Sequence, residues 1–219
     1  LVEEKLNAII KNGVSASMLC LYAIDQIKFF ETYVLGLKEE IIEETIASST
    51  IGNIVHDSLE LIYKDYVGKR LKNGDFKKMK GKINTIVQNI IRNYVREENI
   101  YKGKNIIIVE TVKEYVKKVI ELDQKTIEKG NRLKIMAVER EFENEIKDKE
   151  KKFKIRGKID RIDELNGEVR VIDYKSGKKL SRGNIKIKDS EELTKEKGVY
   201  NLQLLIYMLG IKEEFNEKT

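Results

Sequence analysis

The chain has 219 residues, of which 41% are hydrophobic and 37% are charged, and its formal net charge is +6 at pH 7. This length suits one domain, or one core with a sizeable subdomain, and the apolar fraction is sufficient for a packed interior. The single cysteine, Cys20, excludes a disulfide framework and a four-cysteine iron–sulfur or zinc site, and it is typical of a reducing cytoplasm. The sequence contains no run of about 18 apolar residues, so it predicts no membrane span. The positive charge is a mild bias towards polyanionic partners, although a well-solvated basic surface explains it equally well.

The N-terminal half shows apolar residues at helical spacing, which predicts a series of helices. A short amphipathic segment opens the chain. The next helix has two candidate caps, Ser15 and Ser17, and runs to about Leu35, where Gly36 ends it. After a polar connection, further helices are predicted over about 51–67, 76–98 and 105–129.

The periodicity then changes from 3.6 to 2 residues, which is typical of strands. A first strand is predicted over 133–146, and residues 153–177 are predicted to form a β-hairpin. Its turn is Asn166-Gly167, a dipeptide that favours a type I′ turn because both positions need a positive φ. A basic loop and a helix over about 190–210 follow.

Unbulged pairing around this turn places Leu165 opposite Glu168 and, five steps along the ladder, Asp160 opposite Asp173. Directly opposed side chains lie about 5 Å apart, where like charges are destabilising unless a cation lies between them. Lys175 is two residues beyond Asp173 and therefore points to the same face. Two carboxylates and an ammonium on one face predict a divalent-metal site with a catalytic lysine.

An acid-x-Lys tripeptide alone is weak evidence, because the pattern recurs in the chain, for example at 75–77 and 123–125. The tripeptide at 173–175 alone follows a buried-looking strand and faces a second aspartate across a defined turn. A surface hairpin with charged tips is the alternative interpretation. That alternative does not explain why two aspartates are set opposite each other.

Two segments of the hairpin, GKIDRID at 157–163 and VIDYKSG at 171–177, resemble the core of the PD-(D/E)XK nucleases in their RecB/AddB-like branch. On the helix that follows, Gln203 and Tyr207 resemble the Q-x-x-x-Y motif of that branch. Upstream, the segment from Gly52 to His56 resembles its Gly…His helix, which supplies an extra metal ligand. Residues 15–17 and 28–36 resemble its entry helix, so the similarity spans about residues 15–210.

The resemblance implies an α/β fold with a restriction-endonuclease-like core, which is a small mixed sheet flanked by helices, and a large helical N-terminal subdomain. We expect residues 1–131 to form the helical subdomain that contributes the His-bearing helix, and residues 132–219 to form the nuclease core. Family members continue past the last helix into a further strand, so we expect this core to be truncated at its C-terminus.

The implied activity is Mg²⁺- or Mn²⁺-dependent hydrolysis of DNA phosphodiester bonds, with Asp160, Asp173 and Lys175 as catalytic residues. Asp160 and Asp173 would bind the metal, joined by His56 and the backbone carbonyl of Tyr174. Lys175 would orient or deprotonate the attacking water. A lone helical histidine is more often structural, but an imidazole ligand would favour Mn²⁺.

Gln203 and Tyr207 would position the DNA strand, although packing of the helix on the sheet is the plain alternative. Glu139 and Glu141 lie on the strand before the hairpin, and Glu141 is a candidate accessory residue, with a solvated strand face an equal alternative. The basic loop after the hairpin, over 178–188, is interpreted either as a phosphate contact or as a solvated loop.

Many relatives carry Cys-Pro in the entry helix as part of a four-cysteine iron–sulfur staple. Here Asp25-Gln26 occupies that place, so no iron–sulfur cluster is expected. The resemblance further implies a cytoplasmic module for DNA-end processing or recombinational repair, acting on DNA ends or single strands. Helicase-like segments of the same or a partner chain are its expected partners. Two alternatives remain: a catalytically inactive, nuclease-like DNA-binding scaffold, and a metal-binding or protein-interaction module that does not bind nucleic acid.

Overall fold

The computed structural model describes residues 2–37, 46–148, 151–175 and 199–215. Its helices are α1 Val2–Asn12, α2 Ala16–Ile24, α3 Gln26–Phe29 with a π-helical turn Phe30–Leu35, α4 Ser48–Lys64, α5 Asn73–Ile91, α6 Glu97–Ile100, α7 Lys104–Glu128 and α8 Val199–Phe215. Its strands are β1 Val14–Ser15, β2 Leu133–Asp148, β3 Lys151–Leu165 and β4 Glu168–Ile172. Within the described ranges, no helix has the length and apolar character needed to cross a membrane.

The four strands form one mixed sheet in which β3 pairs with all the others. The first part of β3 pairs in parallel with β1, with Val14 beside Ile155. Its last part pairs antiparallel with β4, and β2 lies along its other side. The expected mixed α/β architecture, a small mixed sheet flanked by helices, is confirmed.

The β3–β4 hairpin has the predicted register and no bulge. The ladder pairs Arg161 with Ile172 and Leu165 with Glu168. The turn residues Asn166 and Gly167 have φ of 56° and 101°, as a type I′ turn requires. Asp173 is the first residue after β4, and the same register continued by one step places it opposite Asp160.

The described residues belong to two compact units, each assembled from segments distant in sequence. One comprises Leu1–Glu40, Glu141–Ile159 and Ser181–Thr219, and the other comprises Ile41–Arg140 and Asp160–Leu180. The sequence-based division between residues 131 and 132 concerns a different partition of the chain, and it stays a prediction.

The second unit has a helical core formed by α4, α5 and α7 with the start of β2. Apolar residues recur three or four positions apart on each helix, so each helix buries one stripe. Burial of one such side chain stabilises the fold by about 1.5–3 kcal/mol. The fully buried members include Ile54, Leu59, Ile62, Met79, Val87, Val112, Val116, Ile120 and Ile135.

Helix boundaries in the first unit follow local capping chemistry. Of the two predicted caps, Ser15 is the one used, since its Oγ accepts a hydrogen bond from the Met18 amide at 3.1 Å. Gly36 ends the segment in the left-handed conformation, with φ of 72°, as predicted. The single helix expected between them is wrong, because Asp25 is extended and caps a new helix by accepting from the Lys28 amide at 2.9 Å.

Two other expectations differ from the structure or lie outside it. The helix predicted over 76–98 is two helices, α5 and the short α6. The basic loop predicted over 178–188 and the expected start of the last helix near Ser190 lie outside the described residues.

Candidate functional site

His56 lies in the middle of α4, on a helix anchored by its buried neighbours Ile54 and Leu59. Its Nδ1 is 3.2 Å from Asp160 Oδ1, and its Nε2 is 2.8 Å from the Tyr174 carbonyl oxygen. The carbonyl can only accept, so Nε2 carries a proton, and a carboxylate beside Nδ1 favours a proton there as well. Burial lowers the pKa of His56, but the hydrogen bond and charge of Asp160 and the Tyr174 carbonyl outweigh it, so the pKa is raised.

Asp160 is held at both oxygens and is 7% exposed. Besides the contact with His56 at Oδ1, its Oδ2 accepts a hydrogen bond of 2.6 Å from the Tyr174 backbone amide. Neither donor is a permanent cation. The carboxylate is therefore oriented by both donors, and its charge is compensated only while the His56 imidazole is protonated.

Glu139 completes a group of three possible metal ligands with His56 and Asp160. One ligand atom from each lies within 4.8 Å of the others. The group offers one imidazole nitrogen and two carboxylates, and the Tyr174 carbonyl lies beside His56. The oxygen ligands suit both Mg²⁺ and Mn²⁺, and the nitrogen ligand favours Mn²⁺. The residues present therefore fit a divalent cation, provided that the His56 imidazole releases a ring proton when it binds the metal.

The backbone at Glu139 is left-handed, with φ of 49°, although the residue lies inside β2. Such a conformation costs a non-glycine residue about 1–2 kcal/mol. Strain of this kind persists where the surroundings impose it, and it clusters at functional sites.

Glu141, the residue nominated from sequence, belongs to the first unit. It is exposed, and it lines a cavity of about 650 Å³ in the first unit together with Ser15, Ser17 and Lys158. Within the described ranges, the acid found with His56 and Asp160 is Glu139.

Asp173 and Lys175 form an ion pair of 2.6 Å between Oδ2 and Nζ. The Asp173 side chain is 9% exposed and that of Lys175 is 29% exposed. Burial raises the pKa of Asp173, the pairing with Lys175 lowers it, and the charge of Asp160 raises it again, for a net increase. The structure thus brings the two aspartates and the lysine of the predicted site close enough to interact.

Gln203 and Tyr207 lie on α8 and contact each other, as their spacing predicts. Gln203 Nε2 donates to the Tyr207 hydroxyl at 2.7 Å. The Tyr207 ring is 5% exposed and packs edge-on against Phe142, with ring centroids 6.0 Å apart. This contact needs Gly157, where an added Cβ would lie 2.6 Å from Phe142 and 3.2 Å from Tyr207. Tyr207 also lines the cavity that contains Ser15 and Glu141.

A set of buried charges was not singled out from sequence. Asp123, Arg161 and Asp163 are each at most 7% exposed. The signal for Asp123 was present, because it follows Val116 and Ile120 on the buried stripe of α7, where an apolar residue is expected. A charge at such a position requires a partner.

A family model described as the PD-(D/E)XK nuclease superfamily matches residues 13–219. The match includes all of the site residues described above. No curated protein matches the chain significantly.

Proposed function

The chain belongs to the PD-(D/E)XK nuclease superfamily, and on that premise we propose that it is a Mg²⁺- or Mn²⁺-dependent deoxyribonuclease of the RecB/AddB-like branch. One observation carries the proposal: ligand atoms of His56, Glu139 and Asp160 converge within 4.8 Å. The Asp173–Lys175 pair lies on the residues that flank Tyr174, whose carbonyl contacts His56. The restriction-endonuclease-like fold agrees with this arrangement.

We assign the metal ligands to His56, Glu139, Asp160, Asp173 and the carbonyl of Tyr174. When bound, the cation supplies Lewis-acid polarisation of the phosphate and of the attacking water. The protein supplies orientation, because the Tyr174 amide fixes Asp160 Oδ2. It also supplies shielding from solvent, since Asp160 and Asp173 are largely buried.

Lys175 is the residue to which we assign proton transfer and charge stabilisation. Its ammonium pairs with Asp173 at 2.6 Å. As an ammonium, Lys175 would orient the attacking water and offset the negative charge that develops on the phosphate. To act as the general base it would first have to release its own proton to solvent, and the neutral amine would then accept the proton of the water.

The remaining assignments concern the substrate. Gln203 and Tyr207 position the DNA strand, and Glu141 is an accessory residue at the cavity that it shares with Tyr207. The basic loop over 178–188 contacts phosphates, so binding weakens as salt increases. The biological setting follows from the branch: a cytoplasmic nuclease module of a DNA-end-processing or recombinational-repair protein that works with helicase-like segments on DNA ends or single strands. Residues 1–131 form its helical subdomain and residues 132–219 its nuclease core.

The test is cleavage of labelled single- and double-stranded DNA in Mg²⁺ or Mn²⁺ by the wild type, by Lys175→Ala and by Lys82→Ala as a matched control. Lys82 pairs with Asp65 on the surface. We expect cleavage by the wild type and by Lys82→Ala, and a loss of about 10²–10⁴-fold in Lys175→Ala.

Other outcomes point elsewhere. Salt-sensitive DNA binding without cleavage in either metal would favour a catalytically inactive scaffold. The absence of DNA binding would favour a metal-binding or protein-interaction module.

A further inference from the structure

Arg161 is a charged residue inside the second unit, and the residue is 1% exposed. Its Nε and Nη2 donate to Asp163 Oδ2 at 3.0 and 2.6 Å. Its Nη1 and Nη2 donate to the two Asp123 oxygens at 2.7 and 3.0 Å. The fifth N–H, on Nη1, is directed at the Tyr174 hydroxyl at 3.3 Å. All five guanidinium donors therefore have an acceptor.

The aspartates that surround Arg161 have further partners. Tyr63 donates its hydroxyl proton to Asp123 Oδ2 at 2.5 Å, and its ring lies 4.7 Å from the Arg161 guanidinium carbon. Arg170 reaches Asp163 from the partly exposed side, with distances of 2.8 and 3.1 Å. The two arginines and two aspartates balance in charge.

Stability alone is a poor explanation for this network. Removing charges from water costs several kcal/mol per ion, and well-packed apolar residues of similar volume are often as stable or more so. A fully satisfied buried network instead fixes one geometry, because a displaced partner leaves a charge unpaired in the interior. The relevant question is therefore which geometry the network fixes.

Tyr174 connects this network to the site. Its hydroxyl accepts from Arg161, its backbone amide donates to Asp160, and its carbonyl oxygen contacts His56 Nε2. Alternation continued past β4 puts the Tyr174 side chain on the face of Arg161, opposite to Asp173. Its ring also packs edge-on against the His56 imidazole, with ring centroids 5.9 Å apart. The two peptide groups that flank Tyr174 link it to Asp173 and Lys175.

Resting on the proposed function, we propose that Arg161 is a positioning residue: by holding the Tyr174 side chain, it fixes the Tyr174 peptide groups against His56 and Asp160 and so sets the metal-binding geometry. The hydrogen bonds of the Arg161 guanidinium go to Asp123, Asp163 and the Tyr174 hydroxyl. Arg161 acts through Tyr174, as the outer partners of metal ligands do in other sites.

His56 provides a probe that does not depend on metal or catalysis. It is the only histidine in the sequence, so its imidazole gives a single set of NMR signals. These signals, recorded for the metal-free protein, report on the contacts of the imidazole with the Tyr174 carbonyl and with the Tyr174 ring. Mn²⁺ affinity by titration calorimetry and the division between kcat and KM for DNA cleavage are the second and third readouts.

Three variants make the comparison. Arg161→Lys keeps the charge but loses the planar fork, Tyr174→Phe removes only the hydroxyl, and Arg170→Ala perturbs the same network from a residue that does not contact Tyr174. We expect Arg161→Lys to shift the His56 signals and to weaken Mn²⁺ binding about 10–100-fold, with cleavage lost in kcat rather than KM. Tyr174→Phe should shift the signals in the same direction by less, and Arg170→Ala should leave the signals and the affinity unchanged.

The outcomes separate the two proposals. Unchanged His56 signals and Mn²⁺ affinity in folded Arg161→Lys would overturn the role of Arg161 while leaving the nuclease assignment intact. An equal shift in Arg170→Ala at matched thermal stability would also overturn it, because general loosening would then explain the effect. If Arg161→Lys does not fold, Tyr174→Phe decides the matter in the same way. A wild type that neither binds Mn²⁺ nor cleaves DNA would reject the proposed function, and the His56 signals would still test the coupling.

Discussion

Asp160 and Asp163 are three residues apart on β3, and they face opposite sides of the sheet. Both are buried, at 7% and 0% exposure, yet their partners differ in kind. Asp163 receives hydrogen bonds from two guanidinium groups, those of Arg161 and Arg170. Asp160 receives them from the imidazole of His56 and from a backbone amide.

This difference distinguishes a carboxylate whose charge is neutralised permanently from one whose charge is compensated only by a titratable imidazole. The charge of Asp163 is compensated permanently, because a guanidinium does not lose its proton in proteins. The charge of Asp160 is compensated only while His56 is protonated, and Glu139 adds a second carboxylate nearby. A divalent cation would therefore be stabilised by the carboxylates of Asp160 and Glu139. The carboxylate of Asp163 is already neutralised by arginine.

The largest effect is expected from Asp160→Asn, which removes the central charge of the site without changing its shape. Cleavage should decrease by about 10³-fold or more, within the upper range for loss of a catalytic group, and Mn²⁺ binding should be lost. The free energy of unfolding should change little, because removing one carboxylate from a group of acids relieves repulsion. Calorimetric titration and chemical denaturation measure the two effects, and a variant that still bound Mn²⁺ tightly would contradict the assignment.

The matched substitution Asp163→Asn should mainly decrease the free energy of unfolding. It leaves Arg161 with one buried carboxylate and Arg170 without a charged acceptor at that position, and loss of one member of a buried pair costs about 3–5 kcal/mol. Chemical denaturation should show a decrease of this size in the free energy of unfolding. An Asp163→Asn protein as stable as the wild type would contradict the assignment of Asp163 as a carboxylate whose charge the two arginines must neutralise.

Two substitutions of Glu139 distinguish the strain of its backbone from its role as a metal ligand. Glu139→Gln keeps the left-handed backbone and one ligand oxygen, so Mn²⁺ affinity should decrease by about 10–100-fold with stability unchanged. Glu139→Gly should decrease the Mn²⁺ affinity at least as much as Glu139→Gln does. It should nevertheless stabilise the metal-free protein by about 0.5–1 kcal/mol, because relief of left-handed strain exceeds the entropy cost of glycine in a strand. Equal melting temperatures for both variants would show that the backbone at Glu139 stores no strain.

The features of the site that follow from local rules could be predicted from sequence. Asn166-Gly167 defines the hairpin register through the φ angles that its turn needs, and that register determines which residue faces Asp173. The contact between Gln203 and Tyr207 follows from their spacing on a helix. In each case the information lies within a few residues of the feature.

The remaining features depend on contacts between distant parts of the chain. The positive φ of Glu139 contradicts the preference of glutamate and is imposed by tertiary structure. Asp123 and Arg161 are 38 residues apart, and no local pattern pairs a charge on a helix with a charge on a strand. The helix breaks at Asp25, which caps a new helix, and a π-helical turn follows over Phe30–Leu35. The spacing of apolar residues does not distinguish either feature from one continuous helix.

The smallest effect is expected from Arg170→Ala, and it distinguishes the two arginines of the buried network. The Arg170 side chain is 37% exposed, so solvent screens its attraction to Asp163, whereas Arg161 is enclosed. Loss of Arg170 should cost about 1 kcal/mol at low ionic strength, a value already reduced for exposure. Because salt screens partly exposed pairs and hardly affects enclosed ones, this cost should decrease in about 1 M NaCl. Denaturation of Arg170→Ala and wild type at both salt concentrations gives the comparison. A cost of several kcal/mol that salt does not change would mean that Asp163 depends on both arginines equally, and that its charge is neutralised less completely by Arg161 than the five satisfied guanidinium donors indicate.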